Sequence, residues 1–130
     1  MILDTAFVID LIDGDPGAIE KARTIEEGGI VLRVPAMVLL ELYIGVEKVA
    51  ETSEEERQVR RVVDSLPKVE MNETIAMRAG RIIGRLRTED LTLGKGDAAI
   101  GATGLVFDEP VLTRNTSDFE RIPELVVKTY

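Results

Sequence analysis

Short apolar segments that alternate with amphipathic helical segments limit the fold of this chain more than any other feature. Apolar runs at 2–4, 30–34, 110–113 and 126–129 predict buried strands, with a further short strand at Val69. Apolar residues recur at helical spacing in five segments: 6–12, 16–27, 35–50, 53–66 and 72–87. This alternation predicts an α/β fold in which helices flank a mostly parallel central sheet.

The length and the missing residue types narrow the possible chemistry. The chain has 130 residues, which suits a single domain over 1–130, and it contains no His and no Cys. A disulfide framework, a zinc site built on Cys or His, and catalysis by Ser–His or Cys–His pairs are therefore excluded. Any enzymatic activity must depend on carboxylates, hydroxyls, Lys, Arg or a hard metal ion held by oxygen.

The charge and hydropathy suggest where the protein works. The net charge is −8, from 24 acidic and 16 basic side chains, so long-range attraction to nucleic acid is not expected. No apolar run approaches the roughly 20 residues that span a bilayer, and the N-terminal residues lack the basic start of a secretory signal. We therefore expect a cytoplasmic protein with no membrane association.

Four acidic residues lie in unusual sequence surroundings. Asp4 ends the first apolar run, and Glu41 lies within the apolar helical stretch 37–44. Asp97 begins a helix of small residues, and Asp118 follows the strand predicted at 110–113. Ligands of open α/β sheets bind at the carboxyl ends of the strands, so we expect these acids to meet there. Four carboxylates without matching bases predict a shared cation.

Each acid also has a purely structural interpretation. Asp4 could cap the helix that follows it, and Asp97 and Asp118 could be N-caps of their own helices. Glu41 could pair with a buried base such as Arg33. The sequence alone leaves these alternatives open for each residue, although the four together favour a common site.

Four segments resemble the PIN-domain family, and within it the VapC-type toxins of VapBC toxin–antitoxin pairs. They are ILDT at 2–5, ELYIGV at 41–46, GDAAIGA at 96–102 and VLTRNTSDFERIP at 111–123. No single segment is specific, but their order and spacing cover essentially the whole chain. The resemblance implies a PIN-like three-layer α/β/α sandwich with an acidic pocket that binds Mg²⁺ or Mn²⁺.

The resemblance also implies roles for individual residues. The catalytic and metal-binding acids would be Asp4, Glu41, Asp97 and Asp118. Asn115 stands where some members of the family have an acid, so we expect it to be an accessory ligand beside Asp118. Thr5 and Thr113 match hydroxyl positions next to the metal.

Four further residues have weaker functional interpretations. Arg114 and Lys95 are close in sequence to the acidic segments and could contact substrate phosphates, or they could be solvated surface residues. Tyr43 and Phe119 could stack on bases, but their neighbours favour packing in the core.

The leading functional hypothesis is a metal-dependent endoribonuclease, the toxin of a type II pair, that hydrolyses RNA with a metal-activated water. The alternative is a catalytically inactive PIN-like scaffold that only binds a partner protein. A phosphate-accepting receiver domain needs a Lys after its last strand, whereas Lys128 lies within that strand. An aspartyl phosphatase needs Asp-x-Asp, which Asp4-Thr5-Ala6 lacks.

The resemblance implies three further expectations about partners. Besides an RNA substrate, we expect a VapB-like antitoxin and a homodimer. The sequence has no DNA-binding motif of its own, so operator binding would belong to the antitoxin.

Overall fold

Five short parallel strands form the centre of the computed structural model, which describes residues 1–130. They are β1 Ile2–Leu3, β2 Val34–Pro35, β3 Lys68–Val69, β4 Val111–Leu112 and β5 Val127–Lys128. Strand β4 pairs with β1 and β5, and β2 pairs with β3. A parallel bridge between Ile2 and Arg33 joins the two groups, so the strands run in the order 3-2-1-4-5.

Seven helices surround these strands. They are α1 Thr5–Ile12, α2 Pro16–Glu27, α3 Ala36–Glu47, α4 Thr52–Val63, α5 Glu73–Thr88, α6 Lys95–Phe107 and α7 Thr116–Phe119. Helix α6 packs on β1 and β4 and against α3 and α5, while α1 contacts α2, α3 and α4. The predicted α/β class with a parallel sheet is confirmed. None of the helices combines the length and apolarity needed to cross a membrane.

The small residues of helix α6 allow it to lie close to its neighbours. A Cβ atom at Gly101 would be 2.3 Å from Cδ1 of Ile122, and one at Gly104 would be 2.9 Å from the carbonyl oxygen of Glu109. Helix α6 contributes to a core of 28 buried residues that draws on β1, β4 and most of the helices. The carboxyl ends of β1 and β4 are thereby fixed beside the start of α6.

The second strand differs from its prediction. The apolar run at 30–34 was expected to be a strand throughout, but only Val34 pairs regularly, together with Pro35. Ile30 and Val31 have no strand beside them and are 48% and 47% exposed, so their β-branched side chains misled the prediction. Pro35 ends β2 and precedes α3 rather than occupying its first turn.

Helix boundaries follow local capping. Asn72 caps α5 by accepting a hydrogen bond from the backbone N–H of Ile75 at 2.9 Å, as its residue type favours. Helix α4 begins at Thr52, one residue earlier than predicted, and its N-cap residue Glu51 makes no side-chain capping bond. Helix α6 begins at Lys95, two residues before the predicted start at Asp97.

Candidate active site

Asp4 and Thr113 lie side by side at the carboxyl ends of β1 and β4. The parallel register pairs the residues before them, and the Thr113 hydroxyl donates a 2.6 Å hydrogen bond to Asp4 Oδ2. Asp4 is only 4% exposed. Its Oδ1 accepts a 2.8 Å hydrogen bond from the Thr5 backbone N–H, so Asp4 also caps α1. The backbone N–H of Asn115 donates to the Thr113 hydroxyl at 2.9 Å.

Glu41 reaches the same edge from helix α3. Its Oε1 accepts a 2.7 Å hydrogen bond from the Thr5 hydroxyl, which links it to the turn after β1. The carboxylate lies over the backbone of Gly96, where an added Cβ would be 3.0 Å from Oε2. The structural alternative for Glu41 is wrong, because Arg33 instead donates to Glu109 at 2.9 Å.

Asp97 is the electrostatic centre of the candidate site. It lies in the first turn of α6 and is not the N-cap, which is Gly94, so the capping alternative is wrong. Burial, together with the negative charges of Asp4, Asp118 and Glu41, raises the pKa of Asp97 to about 6. The other three predicted acids are therefore close enough to act on Asp97.

Asp118 is the one acid of the four that faces a base. It lies within helix α7, and the cap position of that helix is Asn115, so the N-cap interpretation of Asp118 is wrong. The Asn115 side chain makes no capping bond. Arg121 is 3.8 Å from Oδ1 of Asp118, and both side chains are about two-fifths exposed, so water weakens this ion pair.

Burial acts on Asp4 as well as on Asp97. It raises the pKa of Asp4 above the ordinary value, although the hydrogen bond from Thr113 and the charge of Arg114 oppose the rise. Carboxyls with raised pKa values in a partly open site are typical of functional positions.

The two predicted phosphate-binding residues have different surroundings. Lys95 is exposed and forms no ion pair, whereas Arg114 donates a 2.7 Å hydrogen bond to Asp10. Asp10 also accepts a hydrogen bond from the Tyr130 hydroxyl, and the ring of Tyr130 meets Phe7 edge-on at 4.8 Å. Arg114 is therefore held in a defined position beside the acids.

Sequence reasoning missed Asp10 and Tyr130. The available signal was an acid within the apolar helix 6–12, the same kind of signal that singled out Glu41. Of the two aromatic candidates, Phe119 is fully buried, which confirms core packing. Tyr43 is half-buried and donates to Glu56 at 3.2 Å.

The site offers only oxygen ligands, which suit a hard divalent ion by type. As the side chains lie, no three acidic groups converge closely enough to hold one ion together. Like charges repel one another, and a bound cation would offset that repulsion.

Comparison with known proteins identifies the family. A family model described as the PIN domain matches residues 1–125. The chain belongs to the PIN domain family.

Individual relatives and a solved structure resemble the chain over nearly its whole length. The chain is 35% identical to Ribonuclease VapC from Rickettsia bellii, over 99% of this chain and 95% of that protein. It is 29% identical to Ribonuclease VapC19 from Mycobacterium tuberculosis, over 95% of each chain. The fold matches a crystal structure of VapBC2 from Rickettsia felis bound to a DNA fragment from their promoter. That match has a TM-score of 0.91 at 19% identity and covers 98% of this chain and 96% of that one.

Proposed function

We propose that the protein is a metal-dependent endoribonuclease and the toxin of a VapBC-type pair. The observation that carries the proposal is Asp97, a partly buried acid among three other acids with no base paired to it. Relatives named as ribonucleases over nearly the whole chain support the same activity. Because the substrate would be cellular RNA, we propose the cytoplasm as the place of action.

The four acids would hold Mg²⁺ or Mn²⁺: Asp4, Glu41, Asp97 and Asp118. When bound, such an ion polarises a phosphoryl oxygen and makes water a better nucleophile at neutral pH, which replaces the absent His. The hydroxyls of Thr113 and Thr5 orient the carboxylates of Asp4 and Glu41. Asn115 would act as an accessory polar ligand beside Asp118.

Two bases would contact the phosphates of the substrate. Arg114 can use the guanidinium nitrogens that its hydrogen bond to Asp10 leaves free, and Lys95 extends from the first turn of α6. Arg114 suits phosphate recognition because its planar fork can donate two hydrogen bonds in a fixed geometry.

We further propose that a VapB-like antitoxin holds the toxin inactive and that the active form is a homodimer. The solved neighbours include VapBC complexes with promoter DNA, which is consistent with a partner protein. Operator binding by the antitoxin rather than by this chain remains our proposal.

A cleavage assay tests the enzymatic proposal. Purified protein and a panel of single-stranded and structured RNAs should give products with Mg²⁺ or Mn²⁺, and a chelator should abolish them. The variant D97N should be inactive, while D64N, an Asp→Asn change at the exposed residue that follows α4, should retain full activity. RNA that stays uncut across the panel with either metal would favour the inactive-scaffold alternative.

A further inference from the structure

Helix α5 forms a positive surface on a chain whose net charge is −8. Its 16 residues contain four arginines and one glutamate, a net charge of +3. Arg78, Arg81 and Arg85 follow one another at spacings of three and four residues, which places them on one face of the helix. With the segment 122–124, they line a cavity of about 370 Å³, which we call the arginine groove.

The arginine groove combines an apolar floor with a charged rim. The floor consists of Ile82, Leu86, Leu105 and Ile122. Arg78 and Arg81 form no ion pair in the structure, so their guanidinium groups are available to a ligand. Arg85 lies 3.6 Å from Glu89, but both side chains are more than half exposed, so water screens this pair.

A short segment connects the arginine groove to the four acids of the candidate site, which we call the acidic cluster. Arg121 donates to the carbonyl oxygen of Thr92 at 2.8 Å and lies 3.8 Å from Asp118. The next residue, Ile122, is already part of the groove floor. Its Cδ1 atom lies so close to the backbone of Gly101 that the segment is pinned to α6. One chain segment therefore runs from an acid of the site to the groove.

We propose that the arginine groove binds the phosphate backbone of single-stranded RNA that extends from the acidic cluster. This inference rests on the proposed ribonuclease function and names a second contact region for its substrate. From Arg78 to Arg85 the row is about 10 Å long, at 1.5 Å per residue. That length allows more than one phosphate to be neutralised along the strand.

Phosphate fits the groove better than a protein segment does, for two reasons. Arginine forks bind phosphate oxygens in pairs, and Arg78 and Arg81 form no ion pair. Glu89 and Glu124 also line the groove, so its three arginines outnumber its acids by one. A chain with a negative overall field has to obtain its affinity for a polyanion from local rows of positive charge. The groove supplies such a row, and Arg121, which precedes the groove residue Ile122, lies 3.8 Å from Asp118.

The test measures RNA binding in a background that does not cleave. In the D97N protein, binding of a fluorescent single-stranded RNA is measured by anisotropy at several salt concentrations, with and without R78Q/R81Q. The matched control is R23Q/R57Q, which removes the same charge from exposed arginines of α2 and α4. We expect R78Q/R81Q to weaken binding about tenfold and to reduce the salt slope by about 1.4, since each single-strand phosphate contact contributes about 0.7.

Several outcomes would overturn the proposal. They are an unchanged affinity and slope in R78Q/R81Q, or equal changes in the control pair. Another is an effect confined to self-association or to antitoxin binding, measured by sedimentation and titration, which would assign the groove to a protein partner.

The same assay separates this proposal from the function on which it rests. If wild-type protein cleaves no RNA while R78Q/R81Q still weakens binding, the groove stands and the enzymatic proposal fails. If wild type cleaves and the groove arginines do not affect binding, the enzymatic proposal stands and the groove proposal fails.

Discussion

A partly buried carboxylate lies at each end of the central sheet, and the pKa values of the two carboxyls shift in opposite directions. At the amino end, Glu109 receives the N-terminal ammonium of Met1 at 2.5 Å and Arg33 at 2.9 Å, and these partners lower its pKa. At the carboxyl end, Asp97 has no base, and burial with three neighbouring acids raises its pKa to about 6.

The difference separates a carboxylate with two cationic partners from one with none. Satisfied partners on both sides make Glu109 a contributor to stability. Repulsion at Asp97 costs stability, and a site that retains such a cost is a candidate for function. The predictions below test this contrast by changing one end at a time.

The largest expected effect is the loss of activity in D97N. Removing a charged metal ligand should reduce RNA cleavage by more than about a hundredfold, since even changes to supporting residues of metal sites cost 10–100-fold. The melting temperature without metal should stay the same or rise, because the change relieves repulsion. Cleavage assays and thermal denaturation measure the two effects. Activity near that of wild type would show that Asp97 is not part of the site.

Helix α6 has one glycine near each end of the sheet, so the same Gly→Ala substitution can be made at both ends of the sheet. In G104A the new Cβ would lie 2.9 Å from the carbonyl oxygen of Glu109, which cannot move easily, so we expect a loss of about 1–3 kcal/mol. In G96A the Cβ meets the side-chain carboxylate of Glu41 at 3.0 Å, which can shift more easily than backbone, so we expect a smaller loss of stability and a severalfold decrease in kcat. Urea unfolding and cleavage kinetics distinguish them. Equal effects on both quantities would contradict the division between the two ends.

The sequence predicted some features of the fold and of the site correctly and others not. The class of fold, the helix at 16–27 and the acids at strand ends followed from periodicity and from the cost of burying charge. The extent of β2 did not, because pairing depends on whether a neighbouring strand is present, which no local pattern records.

Side-chain pairs between residues far apart in the sequence were not predicted either. The pairing of Arg33 with Glu109, and of Asp10 with both Arg114 and Tyr130, joins residues between 76 and 120 positions apart. Side-chain partners at that separation are set by the packed fold, so the sequence could offer Arg33 only as one possible partner of Glu41, and Arg33 pairs with Glu109 instead. Parallel pairing of β1 with β4 brought Thr113 to Asp4, and only the family resemblance had singled out Thr113.

A moderate loss of stability is expected in E109Q. The amide keeps the shape but removes the charge that binds both the N-terminal ammonium and Arg33, so unfolding should become easier by about 1–2 kcal/mol. RNA cleavage should not change. The control is E20Q, whose exposed pair with Arg23 should contribute less than about 0.5 kcal/mol. Urea denaturation measures both variants, and an equal loss would make the amino-end pair no stronger than a surface contact.

The smallest effect is a pair of opposite pH dependences in metal-free protein. The pKa of Asp97 rises from 3.8 to about 6 on folding, so its stabilising contribution is complete below about 3.8 and is lost as the pH rises through 6. The pKa of Glu109 falls below 4.5, so its contribution is present above 4.5 and is lost as the pH falls through the lowered value.

The unfolding free energy of wild type minus that of D97N should therefore decrease by about 1–2 kcal/mol from about pH 4 to pH 7. This range is the roughly 3 kcal/mol of a two-unit shift, reduced for partial exposure. The difference between wild type and E109Q should instead shrink only below about pH 4.5. Denaturant titrations across pH measure both, and parallel curves would contradict the contrast. Added Mg²⁺ should flatten the first curve and leave the second unchanged, because Glu109 already has two cationic partners whereas Asp97 has none.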